Sequence, residues 1–270
     1  MSYANILVSV DFAEATADRV RLAAALARRF DATLTGAAAA EVPAPLFAHD
    51  IRDAQAQYER SKAKILQEVE RAEAVFARCA GAAPRTAWRG GTERSFAHLV
   101  ERGRAADLIV VGGAGETEID PSPFGVAVAP VLMEAGRPVL VVPQHHAGEP
   151  GRRIVVAWKD TPEARRAVSG ALPFLRSAGQ VFVVTTGQGA RLEGAEEVAA
   201  HLKLHGAAIT THLLTTAVSD GEEILRFARE QQADLIVMGA YGHSRLREWA
   251  FGGATRDILQ ATSLCCLMAH

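Results

Sequence analysis

The strongest constraint on this chain is that it contains an internal repeat. Residues 106–115 are Ala-Asp-Leu-Ile-Val-Val-Gly-Gly-Ala-Gly, and residues 233–242 are Ala-Asp-Leu-Ile-Val-Met-Gly-Ala-Tyr-Gly, so seven of ten positions are identical. A repeat of this length indicates a duplicated structural unit. The 270 residues are also enough for two domains of ordinary size. We therefore predict two similar domains, 1–143 and 152–270, joined by a polar linker rich in Gly and Pro.

The two halves differ in length near their beginnings. The apolar run that starts at Ile6 matches the run at Ile154, an offset of 148, whereas the repeat has an offset of 127. The first half therefore holds 148 − 127 = 21 extra residues, and the Pro-punctuated segment 41–61 is the best place for them. The charged stretch that follows predicts a surface helix with an apolar stripe, formed by Ile65, Leu66, Val69 and Phe76.

Each half alternates short apolar runs with longer amphipathic patterns. The predicted strands are 5–10, 32–39, 85–89, 107–112 and 138–142 in the first half, and 154–158, 180–186, 208–214, 234–239 and 264–269 in the second. Strand–helix alternation of this kind predicts an α/β fold, a doubly wound parallel sheet with right-handed crossovers. Ligands bind such sheets at the carboxyl ends of the strands, where the strand order reverses.

A glycine-rich loop follows the fourth strand of the second half. It contains Gly239, Gly242, Gly252 and Gly253, spaced as Gly, two residues, Gly, nine residues, Gly. Glycines let backbone N–H groups approach an anion, and a helix that starts after the last glycine adds its free amides. The candidate binding residues within and after this loop are Gly239, Gly242, His243, Arg245, Gly252, Gly253, Ala254 and Thr255. His243 and Arg245 would add positive charge near phosphates.

The loop, its position after the fourth strand and the duplication resemble the universal stress protein family (UspA-like) in its tandem two-domain form. The resemblance covers essentially the whole chain. It implies five strands per domain in the order 3-2-1-4-5 and a pseudo-two-fold relation between the domains. A cytoplasmic location is predicted separately, because the sequence has no membrane-spanning apolar run, no signal-like N-terminal segment and only three cysteines. The resemblance also implies that the fifth strands meet, Val139–Val142 against Leu264–Met268. In one subclass of the family it implies binding of ATP or AMP, here with Mg²⁺.

The second half departs from that subclass at two positions. Gly253 stands where nucleotide-binding members have Ser or Thr, although Thr255 matches a position that they often fill with a hydroxyl. Lys159 follows the first strand where the family places an acidic or amide residue near the nucleoside. Ala157 and Trp158 complete the candidate site. The Trp158 ring suits either stacking on adenine or packing in the core.

The first half departs in the opposite way. It keeps Asp11 after its first strand, and it keeps Gly112, Gly115 and Gly125 at the same spacing. The interior of its loop, however, contains Glu116, Glu118 and Asp120 and no cation, and Val126 and Val128 replace the hydroxyl donors. These carboxylates would repel a phosphate. We interpret this loop as a degenerate site.

Composition and motifs exclude several other functions. The net charge of −2, from 29 basic and 31 acidic residues, argues against nucleic acid as a partner, and no uncharged apolar run is long enough to span a membrane. No common catalytic motif is present, so no catalytic residue is assigned. His201 and His205 have zinc-compatible spacing, but a solvated helix face is the simpler interpretation and no metal is predicted. Cys265 and Cys266 are expected to fill opposite faces of a strand.

Three functional hypotheses follow. The first is a non-catalytic stress-response protein that binds an adenine nucleotide in the second domain as a sensor or regulator. The second is a nucleotide-free scaffold, in which both loops are structural and a protein is the partner. The third is a weak ATP hydrolase. A homodimer of two such chains is a further hypothesis about its partners.

Overall fold

The fold is described from a computed structural model of residues 2–81, 83–113, 122–144, 146, 148–187, 192–214, 219–242, 253–261 and 263–270. Ten strands form one sheet in the order β3-β2-β1-β4-β5-β10-β9-β6-β7-β8. Each half therefore has the strand order 3-2-1-4-5, as the resemblance implied. Every neighbouring pair is parallel except β5 with β10, which is antiparallel. The predicted pair of doubly wound α/β domains is confirmed.

The helices and strands alternate along each domain. The first domain contains β1 (Asn5–Ser9), α1 (Thr16–Phe30), β2 (Thr33–Ala39), α2 (Ile51–Cys79), β3 (Arg85–Gly91), α3 (Ser95–Gly103), β4 (Leu108–Gly112), α4 (Val128–Glu134) and β5 (Val139–Val142). The second contains β6 (Arg153–Ala157), α5 (Pro162–Ser177), β7 (Gln180–Thr186), α6 (Glu193–Leu204), β8 (Ile209–Leu214), α7 (Asp220–Glu230), β9 (Leu235–Gly239), α8 (Ala254–Ala261) and β10 (Cys265–Ala269). Most predicted boundaries lie within one or two residues of these.

The sheet is covered by helices on both faces. One buried cluster joins the sheet to α1, α2, α5 and α6, and the other joins it to α3, α4, α7 and α8. Successive side chains of a strand point to opposite faces, so Ile6 and Val8 lie in the first cluster and Leu7 in the second. Cys265 and Cys266 divide in the same way, and both are buried free thiols. The apolar strands are therefore explained by burial on both sides.

The two domains meet where their fifth strands pair. Val139, Leu140 and Val141 lie opposite Met268, Leu267 and Cys266. All six side chains are buried. This pairing confirms the predicted seam, and it removes two apolar edges that would otherwise be open to other chains.

An aromatic cluster joins α1 to α5 beside this seam. The rings of Tyr3, Phe30 and Phe174 contact one another edge to face, with centroids 5.0 to 5.8 Å apart. The Tyr3 hydroxyl donates to the Gly170 carbonyl oxygen at 2.6 Å, which ties the beginning of the first domain to a helix of the second. Arg29 extends the contact by donating to the Pro150 carbonyl oxygen at 2.9 Å.

The extra residues of the first half lengthen one helix and the loop before it. α2 has 29 residues, whereas α6, its counterpart, has 12. Val69, Ala72, Phe76 and Cys79 are its buried residues. Leu66 is 44% exposed, so its assignment to the apolar stripe is wrong. In the described part of the chain, no helix combines the length and the apolar character that crossing a membrane requires.

Candidate functional site

The reversal of strand order in the second domain lies between β6 and β9. These strands are adjacent and parallel, with Ala157 opposite Met238 near their carboxyl ends. The segment after β6 enters α5, whose first turn is capped when the Thr161 hydroxyl accepts from the Ala164 N–H. The segment after β9 is the glycine-rich turn. The predicted binding residues that are described therefore lie at one edge of the sheet, as the topology requires.

Gly239, at the end of β9, is required by packing. A Cβ at this position would lie 2.5 Å from the Ala164 backbone nitrogen and 2.8 Å from the Glu163 carbonyl carbon. The absence of a side chain therefore lets the start of α5 approach the strand. For this glycine, the structural interpretation is sufficient.

Gly242 differs, because among the described residues no backbone atom lies close enough to require a glycine there. A Cβ would lie 3.1 Å from Glu163 Oε2, the far end of a flexible side chain, and 3.8 Å from the Thr161 hydroxyl. The turn before it is unusual, since Tyr241 has a left-handed backbone with φ of 58°. A positive φ is uncommon for a bulky residue, and such conformations cluster at functional sites. Gly242 is therefore the glycine of this turn that packing explains least.

Helix α8 begins beside the same turn. The Thr255 hydroxyl lies 3.5 Å from the Tyr241 backbone nitrogen, and the Thr255 side chain is buried. Gly253 precedes the helix and its carbonyl oxygen accepts from the Asp257 N–H. Ala254 lies against α7, since a Cβ on Gly221 of that helix would lie 3.3 Å from the Ala254 Cα. The described part of the predicted loop thus brings a helix N-terminus to the edge of the sheet.

The three residues after β6 occupy different environments. Ala157 is half-buried, and Lys159 is exposed at the carboxyl end of the strand. Trp158 is 8% exposed and belongs to the core cluster on the α6 side. Its Nε1 has no hydrogen-bond partner in the described part of the chain and lies 3.0 Å from the Cβ position of Gly194. Of the two interpretations of Trp158, core packing agrees with this position.

Several predicted site residues lie outside the described residues. These are His243, Arg245 and Gly252 of the second domain and Gly115 of the first, with the acidic residues Glu116, Glu118 and Asp120. Their proposed contributions stay predictions from the sequence.

The corresponding edge of the first domain is occupied by a buried ion pair. Arg19, on α1, donates through Nη2 to Asp11 Oδ2 at 2.7 Å, and both side chains are less than a tenth exposed. Thr16 donates its hydroxyl hydrogen to the same carboxylate. Arg19 Nε also donates to the Ser9 carbonyl oxygen at 3.1 Å. Asp11, the predicted nucleoside contact, is therefore committed to partners within its own domain.

The guanidinium of Arg19 also lies against the first glycine of the degenerate loop. A Cβ on Gly112 would overlap its Nη1. In the second domain, the strand offset of 148 places Lys159 at the position of Asp11 and the buried Ala167 at the position of Arg19. At the sequence position that matches Arg19, the second domain thus has a short apolar side chain that cannot reach the sheet edge. The two edges therefore differ in the size of the side chain at this position as well as in charge.

The other described residues of the degenerate site, Gly125, Val126 and Val128, make contacts within the first domain. The Gly125 carbonyl oxygen accepts from the Ser95 hydroxyl at 2.8 Å, which joins this loop to α3. Val126 and Val128 pack against the core on the same side of the sheet. Among the described residues of this edge, these contacts are explained by packing and hydrogen bonding within the domain.

Two charged residues at these edges were missed from the sequence. Glu163 is an acidic residue in the first turn of α5, a position usually explained by the helix dipole. Arg19 lies eight residues after Asp11, on the buried side of α1. The available signal was an arginine within the first two turns of the helix that follows Asp11.

His201, in α6, and His205, at the C-terminal cap of that helix, contact each other. The rings of His201 and His205 lie 4.9 Å apart, edge to face. Within the described residues, no group of three or more potential metal ligands is found.

Comparison with known proteins agrees with this architecture. The model of the universal stress protein family matches residues 2–143 and again residues 151–270. Universal stress protein Slr1230 of Synechocystis is 27% identical over 172 residues, a match that covers 58% of this chain and 56% of that protein.

Solved structures share the fold over nearly the whole chain. A universal stress protein from Archaeoglobus fulgidus DSM 4304 aligns with a TM-score of 0.71 and 14% identity, covering 100% of this chain and 96% of its own. A functionally unknown protein from Pseudomonas aeruginosa PAO1 aligns with a TM-score of 0.55 and 14% identity, covering 98% and 92%.

The fold and the glycine turn define a tandem α/β protein whose two domains differ at the sheet edge where the strand order reverses. With two matches to the family model that together span nearly all of it, the chain belongs to the universal stress protein family. It is a stress protein of that family with the tandem arrangement.

Proposed function

We propose that this chain is a non-catalytic stress-response protein that binds one adenine nucleotide, ATP or AMP, in its second domain. The observation that supports this most directly is the difference between the two sheet edges. The first is filled by the Arg19 side chain, whereas the second has Ala167 at that position and exposes Lys159. Binding would act as a sensor, by changing the contacts that the protein makes with a partner.

The described residues of the second domain suit an anionic ligand. Gly242 has no side chain that could block access to its backbone groups, and α8 begins beside it. A cationic side chain at Lys159 and the free amides of a helix N-terminus both favour phosphate. Mg²⁺ would enter with the phosphates of ATP and neutralise part of their charge. Phosphate contacts by His243, Arg245 and Gly252 belong to the same proposal.

Calorimetric titration of ATP and AMP, each with Mg²⁺, into the full chain tests the proposal. We expect one nucleotide per chain and about tenfold or greater weakening in the variant Gly242→Asp, because its side chain would fill the space beside the turn and add a negative charge next to an anionic ligand. Gly81→Asp is the matched control, since a Cβ on Gly81 meets nothing within 4 Å and the residue is exposed in another part of the molecule.

The alternatives give different results in the same experiment. No heat and no nucleotide released on denaturing the purified protein would leave the scaffold hypothesis. Two nucleotides per chain would show that the first domain binds despite its ion pair. Phosphate release that exceeds background and is lost in Gly242→Asp would support a weak hydrolase.

A further inference from the structure

Glu163 places a carboxylate at the sheet edge of the second domain. Within the described residues, one of its two oxygens has no hydrogen-bond partner. Glu163 belongs to the first turn of α5. Its Oε1 lies 4.0 Å from Arg166 Nη1, a distance at the limit of an ion pair. Its Oε2 is buried and has no hydrogen-bond partner in the part of the chain that the structure describes. A buried acceptor without a donor is costly, so this oxygen requires an explanation.

The unpaired oxygen faces the glycine turn. A Cβ on Gly242 would lie 3.1 Å from Oε2, and the Glu163 Cβ lies 2.9 Å from the Cβ position of Gly239. The Glu163 side chain as a whole keeps 14% of its surface exposed. Glu163 therefore lies against the two glycines that begin the predicted binding loop.

The carboxylate is ionised near neutral pH. Burial opposes its charge, but its own backbone N–H, the Thr161 hydroxyl and the nearby His270 and Arg166 together lower the pKa of Glu163 below its usual value. An ionised carboxylate only accepts hydrogen bonds. It repels phosphate oxygens, so the part of a nucleotide next to it must be one that donates.

The adjacent hydroxyls of a ribose are donors of this kind. A carboxylate that accepts from ribose hydroxyls is a recurring solution in nucleotide-binding α/β folds. We propose that Glu163 accepts a hydrogen bond from the ribose of the bound nucleotide, and that it thereby selects ribonucleotides over deoxyribonucleotides. This inference rests on the proposed nucleotide binding. It places the sugar beside Gly239 and Gly242, and it directs the phosphates away from Glu163.

The test compares ATP, 2′-deoxy-ATP and 3′-deoxy-ATP by calorimetry on the full chain. In the unmodified protein we expect at least one deoxy analogue to bind about tenfold more weakly than ATP, because a hydrogen bond to a charged group is lost. In Glu163→Ala, ATP should weaken to the affinity of that analogue, and the discrimination should disappear. Glu163→Gln keeps the shape and one acceptor oxygen, so it should retain part of the discrimination.

Asp160→Ala is the matched control. Asp160 precedes α5, is exposed and pairs with Arg165 at 2.5 Å, so its loss removes a neighbouring negative charge and leaves Glu163 in place. Its ratio of ATP to deoxy-ATP affinity should equal that of the unmodified protein. Circular dichroism and thermal unfolding of each variant establish that the fold is kept.

The possible failures are distinguishable. If ATP and both deoxy analogues bind the unmodified protein equally well, the role of Glu163 is overturned while the proposed nucleotide binding stands. If ATP binds Glu163→Ala more tightly than the unmodified protein, Glu163 repels phosphate and the inference is again overturned. If none of the three nucleotides binds, the proposed function fails first.

Discussion

Arg19 and Asp11 form a buried ion pair, 2.7 Å between Nη2 and Oδ2, at the edge of the first domain where the ligand of a doubly wound sheet would bind. The Thr16 hydroxyl and the Ala13 N–H complete the partners of the carboxylate. The duplicated domain has neither member of the pair, since Lys159 and Ala167 occupy the matching positions. The two copies therefore differ at the positions where their sheets could bind a ligand.

Replacing Arg19 by Met should destabilise the protein strongly. The change leaves Asp11 as a buried charge without its main partner, a loss of about 3 to 5 kcal/mol in typical buried pairs. Urea unfolding measures the free energy, and Arg21→Met, which breaks an exposed pair with Asp18, should cost less than about 1 kcal/mol. The double variant Asp11→Leu, Arg19→Met should recover much of the loss. A loss for Arg19→Met no larger than that of Arg21→Met would contradict the structural role of the pair.

Much of this fold could be predicted because it follows from short-range patterns. The apolar runs and the repeat predicted the strands and the duplication. The strand order and the seam between β5 and β10 were implied by the family resemblance, and the structure agrees with both. Leu66 was misassigned because it follows Ile65 directly, and adjacent residues on a helix differ by about 100° in direction. The α2 residues that are buried keep the spacing of three or four.

The candidate site was less predictable for a different reason. The glycines are visible as a motif, but the sequence does not show whether a glycine is needed for packing, as Gly239 is, or lacks such a need, as Gly242 does. Long charged side chains pose the same difficulty. The partners of Arg19 and Glu163 depend on how helices dock on the sheet, which no local pattern specifies.

The two glycines give a direct comparison. Gly239→Ala should destabilise the protein by about 1 to 3 kcal/mol, because its Cβ meets backbone atoms of α5 that move only with the helix. Gly242→Ala should change stability by less than about 0.5 kcal/mol, because among the described residues its Cβ meets the movable end of the Glu163 side chain and, at 3.8 Å, the Thr161 hydroxyl. Both values come from urea unfolding under one set of conditions. Equal losses would mean that both glycines are packing residues.

Glu93 should stabilise the first domain in a pH-dependent way. The His98 ring is buried, and its Nε2 donates to the Arg89 carbonyl oxygen while its Nδ1 contacts the Glu93 carboxylate. Partial burial raises the pKa of Glu93, but the hydrogen bonds from His98 and from backbone N–H groups outweigh it, so the pKa lies below the usual 4.5.

Because the folded state favours the ionised form of Glu93, its contribution is present above pH 4.5 and is lost as the pH falls through the folded-state pKa. Urea unfolding at pH 7 and near pH 3 should show Glu93→Gln less stable than the unmodified protein at pH 7, with the difference shrinking at acid pH. In a His98→Asn background, Glu93→Gln should have a smaller effect at pH 7. An equal effect in both backgrounds would show that the two residues are not coupled.

Tyr3 should make the junction between the domains sensitive to alkali. Burial, and then the charge of Asp107, raise the pKa of Tyr3 far above its usual 10.0. The protonated hydroxyl donates to the Gly170 carbonyl oxygen. Above pH 10 the unfolded chain loses this proton and the folded chain keeps it, so stability falls as the pH rises. Tyr3→Phe should cost about 1 kcal/mol at pH 7 through the lost hydrogen bond. The free energy of unfolding of Tyr3→Phe should fall less steeply than that of the unmodified protein between about pH 9.5 and 11.5. Parallel slopes for the two proteins in urea unfolding would show that Tyr3 ionises in the folded state.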